Sequence, residues 1–438
     1  MDGFAVSSTL TAGASATTPI RLHVRGTIAA GDEPIWASNT WEATLAHEGE
    51  ECPGCVEIMT GAPFPLSTST LPFDACVRIE DTRPMRRAGD AAAEGQYIEI
   101  VKPAVPNQNR RFAGADIAAG DVVLSPGTAI RARHVMALAL LGIRCVEVYR
   151  RVRVAVFSTG SELLSFESEE GGEGEGKGRG HVVRDSNGPY IQATLSEMGV
   201  EVSYFGIIRD DRREFEERIR ATLEADAWDA VVTTGAVSMG KFDFVRAGLE
   251  GLGADVRFHK VGIRPGHPVL FATVPSRRDG AVNGSDTSAS VCNGEQYDTG
   301  RRDGVRFFGL PGNPMATVVC LRFLVIPYLR FLHGQPAEHP SPVRLRVSAK
   351  QALQTDGSKS TASNLKKPEH LRVFWHGEVT ATSSGPVFEV HVDQGSSKIK
   401  PFLTANGWIV AREGCAEVMD GDLVDSFPLV PSSLGDDR

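Results

Sequence analysis

The chain has 438 residues, 41% of them hydrophobic and 23% charged, with a formal net charge of −9. That length exceeds what one hydrophobic core organises, so two to four domains are expected, and the acidic balance excludes non-specific coating of nucleic acid. No apolar run reads as long enough to span a bilayer and no basic-then-apolar leader opens the chain, so a cytosolic protein is expected.

Residues 20 to 110 read as β-rich. Short strands at Arg21–Thr27, Cys55–Met59, Ala75–Glu80 and Tyr97–Lys102 alternate with Gly, Pro and Asp turns, among them Thr60-Gly61-Ala62-Pro63. Within this stretch Cys52-Pro-Gly-Cys55 has the spacing of a redox pair or half a zinc site. No second pair follows at ligand spacing, and seven scattered cysteines fit no disulfide framework, so two reduced thiols are the reading adopted.

From Ile117 to Val148 the pattern changes: Pro126-Gly127-Thr128 leads into a helix near Arg131–Leu141, closed by Gly142, and then a short strand Cys145–Tyr149. A strand–helix alternation follows: strand Val152–Ser158, helix Gly188–Met198, strand Glu201–Ile208, helix Arg213–Ala225, strand Ala230–Thr233, helix Phe244–Glu250 and strand Asp255–Val261. Strands without polar alternation, separated by helices, predict a parallel sheet covered on both faces. A Gly/Pro-rich turn, Gly309 to Pro314, then precedes an apolar helix from Met315 to Tyr328. After Pro336 the pattern returns to β, with strands at Val343–Ala349, Leu371–Thr380, Val387–Val392 and Gly407–Ala411 predicting a small barrel or sandwich. Two stretches, Glu167–Gly180 and Pro275–Gly304, are too polar to order themselves. The first contains a P-loop look-alike ending at Lys177, but Gly178 replaces the hydroxyl residue that would meet Mg²⁺.

Ligands of an open α/β sheet bind where parallel strands end. The run Val231 to Asp243 delivers small residues, hydroxyls (Thr234, Ser238) and a carboxylate to that edge, with Gly235 permitting close approach to backbone. Glu162, Asp185, Asp210 and Asp243 all fall at predicted strand ends, and several converging carboxylates call for a divalent cation, Mg²⁺ being the natural choice. Asp185 has an alternative as a cap for the helix that follows, and Asp210 as part of a solvated turn. Arg264-Pro265-Gly266-His267 adds a cation and a rigid turn that could face an anion.

These segments, together with Met1-Asp-Gly-Phe-Ala-Val6, Ile58–Pro63, Asp185-Ser186-Asn187-Gly-Pro, Gly206–Asp211, Gln394-Gly-Ser-Ser and Ala405–Val410, resemble the molybdopterin molybdenumtransferase family, that is, the bacterial MoeA proteins and the gephyrin E domain. The likeness runs in order along nearly the whole chain. It implies an α/β multidomain fold. Residues 1–19 and 111–150 would form a linking domain, 20–110 a β-rich inserted domain, 151–335 a molybdopterin-binding-type parallel-sheet domain, and 340–438 a C-terminal β-barrel.

The resemblance implies a homodimer that inserts molybdate into adenylylated molybdopterin with release of AMP. A separate adenylyltransferase would supply that substrate. Asp2, Glu162, Asp210 and Asp243 are implied as catalytic, with Asp243 and Glu162 holding Mg²⁺. Thr60, Asp185, Ser186, Asn187, Thr234, Gly235, Ser238, Arg264, Pro265, Gly266, His267, Pro311, Gly312, Asn313 and Pro314 are implied as substrate-binding.

The chain departs from the family pattern in four places. Ala236 stands for a glycine, His267 for a lysine, Ser161 for an aspartate, and the chain opens at the Met-Asp-Gly-Phe-Ala motif that normally follows a helical segment. The last departure predicts a fragment or a missing helix. Two further readings are a gephyrin-like scaffold, needing an exposed apolar groove to which Trp375, Phe402 and Trp408 would contribute, although each reads rather as strand-core packing, and a degenerate, inactive relative.

Overall fold

The computed structural model describes residues 2–37, 44–45, 51–67, 71–85, 97–165, 182–225, 228–237, 244–275, 289–292, 295–298, 304–347 and 364–431. They fall into two compact units, Met1–Val122 and Val123–Arg438.

The first unit is built on a six-stranded sheet in the order Ala75–Arg78, Gly3–Val6, Gly54–Ile58, Ile20–Ile28, Tyr97–Ile100, Thr82–Met85. Its core gathers Phe4, Val6, Leu22, Cys55, Val77, Ile98 and Ile100. The strand Gly3–Val6 is buried throughout and pairs on both sides, yet four residues without alternation give no sequence signal for a strand. The Cys52 thiol donates to Arg21 O at 3.3 Å, and burial pushes the Cys55 thiol up, away from the reactive ionised form. The Cys-x-x-Cys pair thus serves the sheet.

In the stretch 111–150 the helix expected near Arg131–Leu141 forms over Ala132–Leu140. The expected strand Cys145–Tyr149 does not: these residues are exposed and, among the described residues, pair with no strand.

The second unit contains the predicted α/β layer. Its main elements are strand β1 (Arg153–Thr159), helix α1 (Asn187–Glu197), β2 (Glu201–Ile208), α2 (Arg212–Glu224), β3 (Ala230–Thr234), α3 (Val245–Gly251), β4 (Asp255–His259), β5 (Leu270–Val274) and β6 (Val305–Leu310). The spatial order is β2-β1-β3-β6-β5-β4. β2, β1, β3 and β6 are mutually parallel, as fully apolar strands between helices predict. β5 and β4 run antiparallel at one edge, so the sheet is mixed. One face packs Val154, Val156, Ile191, Leu195 and Val232, and the other Ala155, Phe157, Phe215, Ile219 and Val231. The Glu167–Gly180 stretch with its P-loop look-alike lies outside the described residues. Within Pro275–Gly304, Ala289–Cys292 and Glu295–Asp298 pair as a hairpin, so this stretch orders itself in part.

After β6 a continuous helical run covers Pro314–Leu332. It contains a wider π turn at Leu321–Val325, just before Pro327, whose missing N–H cannot support a regular α turn. By length and composition this run could cross a membrane, contrary to the expectation from sequence, but 67% of its most apolar stretch is buried inside the protein, as in a core helix. Arg322 is buried on it, donating to Glu338 at 2.7 Å and to Pro428 O at 3.1 Å.

The remaining strands, Arg372–Thr382, Gly385–Val390, Ser341–Arg346, Leu423–Pro428 and Gly407–Ala411, pair in that order and close back on the first. The result is a five-stranded barrel, so barrel rather than sandwich is the outcome. Trp375 and Trp408 are both buried and form no exposed groove.

Candidate functional site

The site is built where the parallel strands of the α/β layer end. β1 and β3 lie in register, with Ser158 opposite Thr234. Hydroxyl residues at this level tie the strand ends together: Thr159 Oγ1 donates to Thr234 O at 2.9 Å, and Ser158 Oγ donates to Asp185 Oδ2 at 2.8 Å. Tyr204 OH donates to the same Oδ2 at 2.5 Å, and its pKa is raised by burial and by that bond. The other oxygen of Asp185 accepts the amides of Asn187 (3.1 Å) and Gly188 (3.3 Å) at the start of α1. Asp185 is buried and accepts four hydrogen bonds from the protein. Its capping role, one of two readings from sequence, is what the geometry displays.

In front of this framework lies a cavity of about 350 Å³. Thr159, Gly160, Glu162 and Leu163 reach it from the end of β1, and Asp210 from the end of β2. Thr234, Gly235 and Ala236 line it from the end of β3, Gly312 from the loop after β6, and Asn187 from α1. Asn187 Nδ2 also donates to Gly312 O at 2.8 Å, joining two walls. Asp210 is held by Ser161, whose amide donates to its Oδ2 at 3.1 Å.

The turn after β3 is the tightest part of the wall. Gly235 has φ +92, and a Cβ there would lie 2.5 Å from Thr159 O, so only glycine fits. Ala236 has φ +51. The alanine therefore sits in the left-handed region, at a cost of about 1–2 kcal/mol that the surrounding contacts must offset.

Of the residues expected from sequence, the structure brings Glu162, Asp210, Asn187, Thr234, Gly235 and Gly312 to one cavity. Thr159, Gly160, Leu163 and Ala236 join them; the strand-end rule applied to Ser158-Thr-Gly-Ser-Glu would have found the first two. Ser186 precedes α1, and Pro311, Asn313 and Pro314 form the adjoining loop and helix start, where Pro311 O and Asn313 O accept from Thr317 Oγ1. Neither these four nor Asp185 lines the cavity.

Arg264, Pro265, Gly266 and His267 also stand apart from the lining. Arg264 pairs with the barrel strand at Val373, Gly266 O accepts the Cys320 thiol, and His267 Nδ1 donates to Val261 O at 2.6 Å. Asp2 and Thr60 belong to the first unit, where Asp2 Oδ1 accepts from the Thr60 amide (2.7 Å) and hydroxyl (2.8 Å). Those bonds hold the Asp2 carboxyl below its usual range. Ser238 and Asp243 lie outside the described residues.

Among the described residues no group of three or more His, Cys, Asp or Glu side chains is arranged to hold a metal. Glu162 and Asp210 nevertheless bring two carboxylates to one cavity. That suits Mg²⁺, which takes one or two carboxylates and completes its shell with water and substrate phosphate.

Three family models match the chain in order: the MoeA N-terminal region (domain I and II) over residues 1–142, a probable molybdopterin binding domain over 155–331, and the MoeA C-terminal region (domain IV) over 358–429. A molybdopterin molybdenumtransferase of Synechococcus elongatus is 30% identical over 420 residues, covering 94% of this chain and 83% of the relative. That of Staphylococcus aureus is 30% identical over 428 residues, covering 97% and 83%. A solved molybdopterin biosynthesis MoeA protein of Pyrococcus horikosii shares the fold, with a TM-score of 0.67 and 24% identity over 98% of this chain and 86% of its own. With the cavity standing at the strand ends of the matched binding domain, the chain belongs to the molybdopterin molybdenumtransferase (MoeA) family.

Proposed function

We propose that this protein inserts molybdenum from molybdate into adenylylated molybdopterin and releases AMP. The observation that carries the reading is the joint presence of Glu162 and Asp210 in a strand-end cavity also lined by the small-residue turn Gly235–Ala236. Small residues and backbone amides suit oxyanions such as phosphate and molybdate. The carboxylates suit a cation that accompanies a phosphoanhydride.

Glu162 and Asp210 would hold Mg²⁺, which when bound neutralises charge on the phosphoanhydride as it is cleaved. Asn187 fixes the loop at Gly312 against α1, and Thr159 fixes the end of β3, so the walls are set before substrate arrives. We assign a second copy of this chain to the face of helix Ala132–Leu140. That helix has no buried residue, and Val135, Met136 and Leu140 are 55%, 75% and 72% exposed. The adenylylated substrate would come from an adenylyltransferase supplied by a separate domain or protein. Buried unbridged thiols such as Cys76 and Cys320 are in keeping with a reducing, cytoplasmic setting.

The test is molybdate-dependent AMP release from adenylylated molybdopterin by the purified chain, with Mg²⁺ and with a chelator. Release that needs both molybdate and Mg²⁺, yielding a product that activates an apo-molybdoenzyme, is the expected result. Substrate that binds but yields no AMP would instead identify a degenerate family member.

A further inference from the structure

We infer that His259, at the far edge of the sheet, is a positioning residue that clamps the strained turn Gly235–Val237 in its cavity-lining form. The inference rests on the function proposed above and names a residue to which neither its chemistry nor its motifs point.

The chain of contacts begins with a bulge. In the pairing of β4 with β5, Val256 faces Ala272, but the register then shifts so that Phe258 faces Phe271 and His259 faces Leu270. Val256 packs on the face shared with Val231, Phe307 and Leu270. In an unbroken strand, residues two apart share a face, so Phe258 would join Val256 and His259 would point to the opposite side. The extra residue reverses this. Phe258 instead packs on Phe271, ring centroids 5.5 Å apart, and His259 is turned onto the face that carries Val237.

One row of residues crosses the sheet on that face, with a gap in it. Thr233, Gly309, Leu270 and His259 stand in one row across β3, β6, β5 and β4. Gly309 leaves the gap: a Cβ there would lie 2.8 Å from Val237 Cγ1. Val237, leaving the end of β3, therefore lies down over Gly309 and turns its carbonyl to the edge strand. His259 Nε2 meets that carbonyl at 2.8 Å. A carbonyl only accepts, so the imidazole carries its proton on Nε2. Among the described residues this is the one side-chain hydrogen bond that reaches residues 235 to 237.

The turn needs such a tie. Ala236 lines the cavity at φ +51, a conformation an alanine leaves unless its surroundings hold it. Thr159 restrains the entry side through Thr234 O, and His259 restrains the exit side through Val237 O. Without the second restraint, part of the population would relax at Ala236, and apparent affinity would fall in proportion to the competent fraction left.

The experiment is a double-mutant cycle on the full chain: wild type, His259→Phe, Ala236→Gly and both together, with His259→Gln as rescue. The glutamine Nε2 donor reaches about as far as the imidazole Nε2. His259→Phe is expected to raise KM for adenylylated molybdopterin about tenfold while kcat stays within about twofold, and His259→Gln to recover most of that loss. In the Ala236→Gly background, where positive φ is free of strain, the effect of His259→Phe should shrink to about threefold or less. Additive effects, or a glutamine variant as impaired as the phenylalanine one, would overturn the clamp. The same cycle read in urea midpoints requires no turnover. Wild type that releases no AMP would therefore sink the transferase reading alone, while additive midpoints would sink the clamp alone.

Discussion

Ser161 and Asp210 hold each other reciprocally: the Ser161 amide donates to Asp210 Oδ2 at 3.1 Å, and the Asp210 amide donates to Ser161 Oγ at 2.9 Å. The ends of β1 and β2 are thereby locked in the order that presents Asp210 to the cavity. A serine in place of the family's more frequent aspartate does this without adding a third carboxylate. Ser161→Ala removes one of the two bonds. It is expected to lower kcat/KM about five- to tenfold while leaving the unfolding midpoint nearly unchanged, since a neutral hydrogen bond contributes about 1 kcal/mol and this one is exposed. Steady-state kinetics beside a thermal melt checks both halves.

Asp185 offers the opposite balance. Asp185→Asn keeps the size but places an amide NH₂ among donors from Ser158, Tyr204, Asn187 and Gly188. Destabilisation of about 2–4 kcal/mol is expected from urea unfolding. Tyr204 should also titrate at a lower pH in this variant, because the bond to Asp185 is among the causes that raise its pKa.

In the barrel, His376 is buried, and burial, then the neighbouring His391, lowers its pKa from 6.5 to about 4, partly offset by Asp393. His391 Nε2 in turn lies 3.4 Å from Glu378. A depressed histidine pKa means that the folded state prefers the neutral ring. Its contribution is complete above pH 6.5 and is lost as pH falls toward 4. Folding free energy should therefore drop by about 2–3 kcal/mol across that window, and His376→Phe should flatten the slope. Urea unfolding at a series of pH values reads it directly.

Arg322 is buried with Glu338 as its charge partner. Glu338→Ala leaves the guanidinium with the Pro428 carbonyl and no counter-charge. A loss of about 3 kcal/mol is expected, with less loss in Arg322→Met/Glu338→Ala because the stranded charge is removed as well. Equilibrium unfolding of both variants makes the comparison.

Much of the site was legible because one rule of α/β sheets carries it. Glu162, Asp210 and Gly235 could be placed together from strand ends alone. What sequence could not supply was long-range register. The antiparallel edge formed by β4 and β5 has the same apolar composition as a parallel one, and the bulge that turns His259 leaves no mark in Asp255–His259. Asp185 shows a second limit: a carboxylate at a strand end reads alike whether it faces ligand or caps a helix, and only the four donors around it decide. Arg264–His267 shows a third, since a cation beside prolines gives no indication that its strand will pair with the barrel instead of opening toward the cavity.

The helical run Pro314–Leu332 is gripped at two points along its length. Its first turn receives the barrel-side segment through the Met315 amide, which donates to Ser396 O at 2.9 Å, and Arg322 ties the next turns to Pro428 at the end of a barrel strand. Just ahead of that first turn stands Gly312, part of the cavity wall. The helix is thus a brace: the barrel holds it at both grips, neither made by a loose surface side chain, and the cavity wall at Gly312 begins where that brace starts.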